Sequence, residues 1–189
     1  MKPMLKQQMT KRIRINSMKV SWFAMLFVIG CGIGLIAGCS ENDSLVTPGK
    51  PAQDFRLETL THDRFYLNQQ QGKVTALAFW ATWCSSCKQE LAALQRLVEQ
   101  LPQEKLVIAA ICTNPENLDT LKAIVQDLGL TYPVLLDQGA KVFQQYHLRA
   151  YPTTIIIDQT GIVSVVRVGY SPVFMKQIKT TVESLLNAN

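Results

Sequence analysis

Two cysteines separated by two residues, Cys84 and Cys87, are the side chains with the clearest chemical potential in this chain of 189 residues. They stand in the stretch FWATWCSSCKQE, directly after an aromatic and apolar run. Three roles are compatible with this spacing: two ligands of a zinc site, a structural disulfide, or a redox-active dithiol. A zinc site needs four ligands, and the histidines, His62 and His147, are far from the pair in sequence. A disulfide that closes so short a loop removes little entropy from the unfolded chain, so it stabilises poorly.

The redox role uses the spacing of the cysteines directly. If Cys84 stands at a helix N-terminus, free backbone N–H groups and the helix dipole favour its thiolate and lower its pKa. Cys87, one helical turn further on, is then close enough to attack a mixed disulfide at Cys84 and release the partner. Trp83 is expected to line one side of the site. We therefore expect a redox pair with Cys84 at an exposed helix start, no metal, and no cofactor beyond the Cys84–Cys87 disulfide.

The segments around the pair alternate between strand and helix patterns. The apolar run 73–83 predicts a strand buried on both faces, and apolar residues at helical spacing after Cys87 predict a helix that Pro102 ends. Asn114 and Pro115 are expected to supply the cap and first-turn proline of a second helix. The remaining patterns predict a hairpin over 54–71, strands over 105–113 and 132–137, a short helix over 140–148, a hairpin over 153–169 and a final helix over 171–189. This order predicts an α/β sandwich around a mixed sheet.

The first 38 residues indicate an export signal. They contain six basic residues and no acidic one, and an apolar segment runs from Val20 to Gly38. A basic region followed by an apolar region and small residues is typical of a secretory signal. The sequence IAGC at its end resembles the lipobox of bacterial lipoproteins, in which the cysteine, here Cys39, is lipidated and becomes the new N-terminus. An uncleaved transmembrane anchor is the alternative, since about 19 apolar residues can span a bilayer.

This reading divides the chain into a signal (1–38), a lipid-anchored flexible tether (39–53) and one domain (54–189) in the cell envelope, outside the cytoplasm. Six of the 19 basic residues lie in the signal, which leaves 13 against 14 acidic residues, a net charge of about −1 for the remainder. The net charge of +5 of the whole chain therefore gives no reason to expect nucleic-acid binding. Cys112, in a predicted strand, is expected to be a buried, inert thiol.

The stretch FWATWCSSC resembles the active site of the thioredoxin superfamily, whose common form is F-W-A-x-W-C-x-x-C, and YPTTIIID resembles its second signature. The resemblance extends over residues 51–186. It implies a thioredoxin-like three-layer sandwich with a central mixed sheet. In that family the position of Pro152 is a cis-proline that faces the cysteine pair. This geometry would leave the backbone groups of Tyr151 free to bind an extended substrate chain.

Within the superfamily, the chain is most similar to membrane-tethered TlpA/ResA-like thiol-disulfide oxidoreductases. These proteins carry an N-terminal hairpin, an insert between the central strands, which 114–148 can form, and a glutamate at the position of Glu90. The resemblance implies a monomeric enzyme that reduces disulfides of exported proteins. Apocytochrome c is one implied substrate class, and a membrane thiol-electron transporter is the implied source of electrons. A partly buried Glu90 would have a raised pKa and could take the proton of Cys87; a solvated surface carboxylate is the alternative.

Departures from the superfamily pattern bear on the mechanism. Ala78 stands where many thioredoxins have a buried aspartate, so a proton acceptor must come from elsewhere. No histidine lies between the cysteines, so the thiolate has one stabilising group fewer, which favours a reductant. Two other functions stay open. A peroxiredoxin-type thiol peroxidase shares the fold, but Thr82 is one residue too close to Cys84 for its Pro-x-x-x-Thr-x-x-Cys pattern. A Cu(I)-binding metallochaperone on this fold tends to use CxxxC with a distal histidine.

Overall fold

The computed structural model describes residues 46–188. The predicted signal, Cys39 and the first part of the predicted tether lie outside the described residues. The strands are β1 (Arg56–Thr59), β2 (Arg64–Tyr66), β3 (Val74–Trp80), β4 (Leu106–Cys112), β5 (Val134–Leu136), β6 (Thr153–Ile157) and β7 (Val163–Val168). The helices are α1 (Ser85–Gln100), α2 (Leu118–Asp127), α3 (Lys141–Gln145) and α4 (Pro172–Leu186). Between residues 46 and 188, no helix combines the length and the apolar character that a membrane span requires.

The strands form one mixed sheet in the order β2-β1-β5-β4-β3-β6-β7. β3, β4 and β5 are parallel, and the other neighbours are antiparallel. The central strand β3 is buried along all seven residues. A continuous apolar run suits this place because both faces of the strand are covered. The mixed sheet that the sequence predicted is therefore present, with the strand that precedes the cysteines near its middle.

Helices cover both faces of the sheet and give the predicted three layers. On one face, α1, α2 and α4 bury Leu91, Leu94, Leu121, Ile178 and Val182. On the other face, α3 and the N-terminal segment bury Phe55, Phe65, Val142 and Tyr146 against Phe79 of β3. This second cluster is rich in aromatic rings, and several of them are in direct contact.

The predicted hairpin and insert occupy one half of the sheet. β1 and β2 pair as a hairpin, and β1 joins the sheet through β5, with Glu58 opposite Leu136. α2, β5 and α3 all lie in the connection between β4 and β6, where the insert was expected. The second hairpin, β6 with β7, also forms as predicted. The cysteine pair follows β3, and β6, which begins directly after Pro152, is the neighbour of β3 in the sheet.

The start of α2 differs from the sequence prediction. Asn117, and not Asn114, is the cap, because the Asn117 side chain accepts the Thr120 N–H at 2.9 Å. The prediction that Asn114 and Pro115 open this helix was wrong, since the Asn114 side chain is bonded elsewhere in the fold. The predicted end of the helix is confirmed: Gly129, with a φ of 59°, follows α2 in the left-handed conformation that glycine adopts without steric cost.

Candidate active site

The cysteine pair lies where the central strand passes into the first long helix. β3 ends at Trp80 and α1 begins at Ser85. Cys84 is the N-cap of α1, and its Sγ accepts the backbone N–H of Cys87 at 3.2 Å. The sulfurs of Cys84 and Cys87 form a disulfide. An N-cap sulfur meets the unpaired N–H groups of the first turn, which stabilise a thiolate in the reduced state.

The exposure of the pair is lower than the sequence predicted. Cys84 is 6% exposed and Cys87 is fully buried. Cys84 is the more accessible sulfur, as expected, but the prediction of an exposed helix start was wrong for its side chain, because the disulfide holds Sγ against the first turn of α1. The neighbouring Trp83 is 69% exposed. The most exposed side chain next to the pair is therefore an aromatic ring and not a sulfur atom.

The loop that faces the pair contains a cis peptide bond between Tyr151 and Pro152, as the family resemblance implies. The Pro152 carbonyl accepts the Gly169 N–H at 2.8 Å, which ties this loop to the end of β7. The rings of Trp83 and Tyr151 meet edge to face, with centroids 5.7 Å apart. The structure thus brings the predicted residues Trp83, Tyr151 and Pro152 together at the pair. Their role in substrate binding stays a prediction.

Glu90 lies on α1 beyond Cys87 and is 1% exposed. Burial raises the pKa of its carboxyl group to about 7, and the facing Thr154 hydroxyl offsets only part of this increase. Within residues 46–188, Glu90 Oε2 and Thr154 Oγ1 each lack a hydrogen-bond partner, so the Thr154 hydroxyl is close to the carboxyl group without a formed hydrogen bond to it. Desolvation therefore dominates the pKa of Glu90. Thr154 is the register partner of Ala78. The carboxyl group therefore approaches, from the helix, the place where thioredoxins carry an aspartate on the strand. Its function as a proton acceptor stays a prediction.

Two residues that the sequence interpretation missed as site residues, Thr113 and Asn114, contact both loops of the site. Asn114 Oδ1 accepts the Thr82 N–H at 2.9 Å, and Asn114 Nδ2 donates to Thr82 Oγ1 at 2.8 Å. Thr113 Oγ1 lies 2.7 Å from the Tyr151 hydroxyl. These partners are 32 and 38 residues apart in sequence, so no local pattern marks them. The available signal is their place directly after β4, at the strand ends where sites form in open α/β sheets.

The other residues with chemical potential lie in ordinary structural settings. Cys112 is buried and has no disulfide partner, and burial raises the pKa of its thiol to about 11, as expected for an inert cysteine. His62 is exposed on the β1–β2 turn, where its Nδ1 lies 2.9 Å from Glu58 Oε1. In the described part of the chain, no three or more His, Cys, Asp and Glu side chains are grouped to hold a metal ion.

Known proteins are similar to this chain over most of its length. The model of the AhpC/TSA family matches residues 48–166. Thioredoxin-like protein YneN of Bacillus subtilis is 31% identical over 153 residues, which cover 78% of this chain and 89% of YneN. Thiol-disulfide oxidoreductase ResA of Halalkalibacterium halodurans is 31% identical over 152 residues, which cover 80% of this chain and 85% of that protein.

Solved structures confirm the predicted fold class. A thiol:disulfide interchange protein of the thioredoxin family from Chlorobium tepidum superposes with a TM-score of 0.65 at 24% identity, covering 75% of this chain and 98% of that one. A secreted Mycobacterium tuberculosis disulfide oxidoreductase, described as homologous to DsbE, gives a TM-score of 0.60 at 20% identity, over 69% of this chain and 96% of that one. The chain therefore belongs to the AhpC/TSA family, as a thioredoxin-like thiol-disulfide oxidoreductase similar to YneN and ResA.

Proposed function

We propose that this protein is a membrane-anchored, extracytoplasmic reductase of disulfides in exported proteins. The observation that carries the proposal is the Cys84–Cys87 pair at the start of α1, which lies beside the Tyr151–Pro152 loop. Similarity to thiol-disulfide oxidoreductases supports protein disulfides as the general substrate class. A reductase on this site needs one sulfur that attacks the substrate and a second that releases it. Cys84 is less buried than Cys87, which suits Cys84 to the attack and Cys87 to the release.

The first step forms a mixed disulfide. The Cys84 thiolate, stabilised by the N–H groups at the start of α1, attacks one sulfur of the substrate disulfide. The new S–S bond joins Cys84 to the substrate, the substrate disulfide breaks, and one substrate thiolate leaves. Cys84 takes this role because it is the less buried sulfur of the pair.

The second step releases the substrate. The Cys87 thiol loses its proton and its sulfur attacks Cys84 Sγ, so that the Cys84–Cys87 disulfide forms and the second substrate thiolate leaves. Overall, two electrons pass from the pair to the substrate disulfide. Cys87 is fully buried, and a bare thiolate is costly in such a setting. Glu90, with a pKa raised to about 7 by burial, is the group that accepts this proton near neutral pH.

The direction of the reaction and its partners follow from the composition of the site and from the family. Ser85 and Ser86 between the cysteines add no positive charge, so the thiolate of Cys84 is less stabilised than in strong oxidants, which favours a reductant. We propose that the substrates include apocytochrome c. The oxidised pair is then reduced again by a membrane thiol-electron transporter.

The cellular location rests on the N-terminal sequence. The proposal places a lipid on Cys39, which follows the apolar segment in the sequence IAGC. Incorporation of labelled palmitate in cells should be lost in Cys39→Ser and retained in Cys31→Ser, the matched change within the apolar segment. Persistent labelling of Cys39→Ser would contradict lipidation at this residue, without affecting the assignment of the redox pair.

The reductase function is tested by trapping its substrates. Cys87→Ser stops the reaction after the first step, so it should accumulate covalent complexes with exported proteins that a reductant releases. Cys84→Ser should form none, and Cys87→Ser combined with Cys112→Ser should trap as well as Cys87→Ser alone. Mass spectrometry identifies the partners. Complexes that form equally with Cys84→Ser would show that the roles of the cysteines are assigned wrongly.

A thiol peroxidase is the second candidate, and the match to the AhpC/TSA family is the observation that favours it. In that reaction, the Cys84 thiolate attacks one peroxide oxygen, the O–O bond breaks, the second oxygen leaves as an alcohol or water, and Cys84 becomes a sulfenic acid. Cys87 then attacks the sulfur of the sulfenic acid, so that the Cys84–Cys87 disulfide forms and water leaves. We expect the reduced protein to reduce a peptide disulfide faster than it consumes peroxide at equal concentration. The opposite order would favour the peroxidase.

A further inference from the structure

Thr113 and Asn114 are adjacent in sequence but hold different parts of the site. They directly follow β4, the parallel neighbour of the strand that leads to the cysteines. The Thr113 N–H donates to the Trp80 carbonyl at 3.0 Å, which anchors this point to the end of β3. From it, Asn114 contacts the segment before Cys84, and Thr113 contacts the Tyr151–Pro152 loop.

The Asn114 side chain fixes the segment that carries the exposed tryptophan. Its amide makes two hydrogen bonds to one residue, Thr82: Oδ1 accepts the backbone N–H at 2.9 Å, and Nδ2 donates to Oγ1 at 2.8 Å. Two bonds to one neighbour define both the position and the orientation of the backbone. Thr82 directly precedes Trp83 and stands two residues before Cys84, so Asn114 sets where this side of the site lies.

The Thr113 side chain fixes the opposite side of the site. Thr113 Oγ1 donates to the Trp80 carbonyl at 3.2 Å, which uses its only proton, so in the 2.7 Å contact the Tyr151 hydroxyl is the donor. The Tyr151 ring is also stacked on Phe143 of α3, with centroids 4.6 Å apart. The ring is therefore held at its tip by Thr113 and on its face by Phe143, while its edge contacts Trp83.

We propose that Thr113 and Asn114 act as a positioning clamp that sets the spacing between the Trp83 segment and the Tyr151–Pro152 loop, and thereby the affinity for protein disulfides. The proposal rests on the proposed reductase function and adds two positioning residues to it. A polypeptide substrate must contact both sides of the site while its disulfide reaches Cys84. A small disulfide needs only the sulfur. Loosening either side should therefore lower the affinity for polypeptide substrates while changing the rate of attack at sulfur much less.

Single-turnover kinetics of the pre-reduced protein test the clamp with two substrates, a short peptide closed by an internal disulfide and hydroxyethyl disulfide. In Asn114→Ala and Thr113→Val, we expect the half-saturating peptide concentration to rise about five- to tenfold, the cost of a lost neutral hydrogen bond. The limiting rate with the peptide and the rate with hydroxyethyl disulfide should change little. Thr82→Val removes the Oγ1 partner of Asn114 and so tests the same contact from its other side.

Two control variants remove similar groups outside the site. Asn117→Ala deletes an asparagine that accepts a backbone N–H at the start of α2. Tyr146→Phe deletes a buried hydroxyl that donates to the Gln53 carbonyl on the other face of the sheet. Both should leave the peptide kinetics unchanged. Thr113→Ser, which keeps the hydroxyl, should restore the parent half-saturation, and Tyr151→Phe with Thr113→Val should be no worse than either change alone.

Three results would overturn the clamp and leave the reductase function intact. Equal losses with the peptide and with hydroxyethyl disulfide would mean that the two residues act on the sulfur chemistry and not on binding. Kinetics that match the control variants would mean that the contacts have no effect on the site, and additive losses in the double variant would exclude the Tyr151–Thr113 hydrogen bond as the link. If the parent protein reduces neither disulfide, the proposed reductase function fails and the clamp fails with it. If the parent reduces both disulfides and one of the three results above is found, only the clamp fails.

Discussion

Among residues 46–188, two carboxyl groups, those of Glu90 and Asp137, are buried, and their surroundings differ in how many hydrogen-bond donors they offer. Asp137 precedes α3 and is 0% exposed. Its Oδ1 accepts the Val142 N–H and its Oδ2 accepts the Phe143 N–H, both at 3.0 Å. Glu90 is 1% exposed in the middle of α1, and its Oε2 has no hydrogen-bond partner within residues 46–188.

The difference follows from where each carboxyl group meets a helix. The first N–H groups of a helix have no partner inside it, so Asp137 finds free donors at the start of α3. Helix-interior N–H groups are already bonded, so Glu90 finds none on α1 and faces only the sheet. Burial thus produces a structural anchor in one region and a group with a raised pKa in the other. A buried carboxyl group becomes a candidate for proton transfer when its anion lacks donors.

The largest expected effect is on the pH dependence of stability. The pKa of Glu90 in the folded protein, about 7, lies above the ordinary glutamate value of 4.5, so folding favours the protonated form. The stability that this gives is fully present below about pH 4.5 and is lost as the pH rises through about 7, a change of up to about 3 kcal/mol. In urea unfolding of the oxidised protein, the free energy of unfolding of Glu90→Gln relative to that of the parent should rise over this pH range. Glu104→Gln, an exposed control, should show the same pH dependence as the parent. A constant difference across the range would show that Glu90 is hydrated.

The second effect is kinetic. If Glu90 accepts the proton of Cys87, as proposed, Glu90→Gln should slow disulfide exchange by about ten- to a hundredfold while the fold persists. Stopped-flow measurement of peptide reduction between pH 5 and 9 checks this, together with titration of the thiols, whose pKa values should shift because the groups are coupled. If rates and titrations match those of the parent at every pH, water takes the proton and Glu90 has no catalytic role.

The smallest effect concerns Asp137 and should fall on stability alone. Asp137→Asn keeps the shape of the side chain but replaces one of its two acceptor oxygens by an NH2 group. One helix N–H then loses its partner and the other hydrogen bond loses its charge, so the free energy of unfolding should fall by about 2 kcal/mol. The rate with hydroxyethyl disulfide should be little changed. Chemical denaturation and exchange kinetics on the same sample separate the outcomes. A large loss of rate without a loss of stability would remove the contrast between the two carboxyl groups.

Sequence patterns predicted the parts of the site that depend on local spacing. The strand before the cysteines, the helix after them and the cap position of Cys84 follow from an apolar run and from helical periodicity within a few residues. The cis bond before Pro152 was expected from the family pattern, whereas for Glu90 the sequence left both a partly buried and a solvated carboxylate open. The low exposure of the Cys84 side chain was not expected, because exposure depends on how the disulfide and the neighbouring rings pack.

The role of Asn114 is not determined by its local sequence. An asparagine followed by a proline is a common start of a helix, and the side chain has the groups for that purpose. The fold instead brings Thr82, 32 residues away, within 2.9 Å of it, and three residues later Asn117 supplies the cap. Both asparagines satisfy the same local rule, so only the distant partner decides which of them caps the helix.

The sequence by itself determined that Cys84 and Cys87 lie on one turn of a helix after a buried strand, because a separation of three residues has the same geometry in any helix. The tertiary structure decided which groups surround them. The strand order places β4 and β6 on either side of β3, which brings Thr113 to Tyr151 and sets Thr154 opposite Ala78, facing Glu90. The physical reason is that desolvation and long-range hydrogen bonds depend on which segments become neighbours in space, and no short spacing in the chain specifies this.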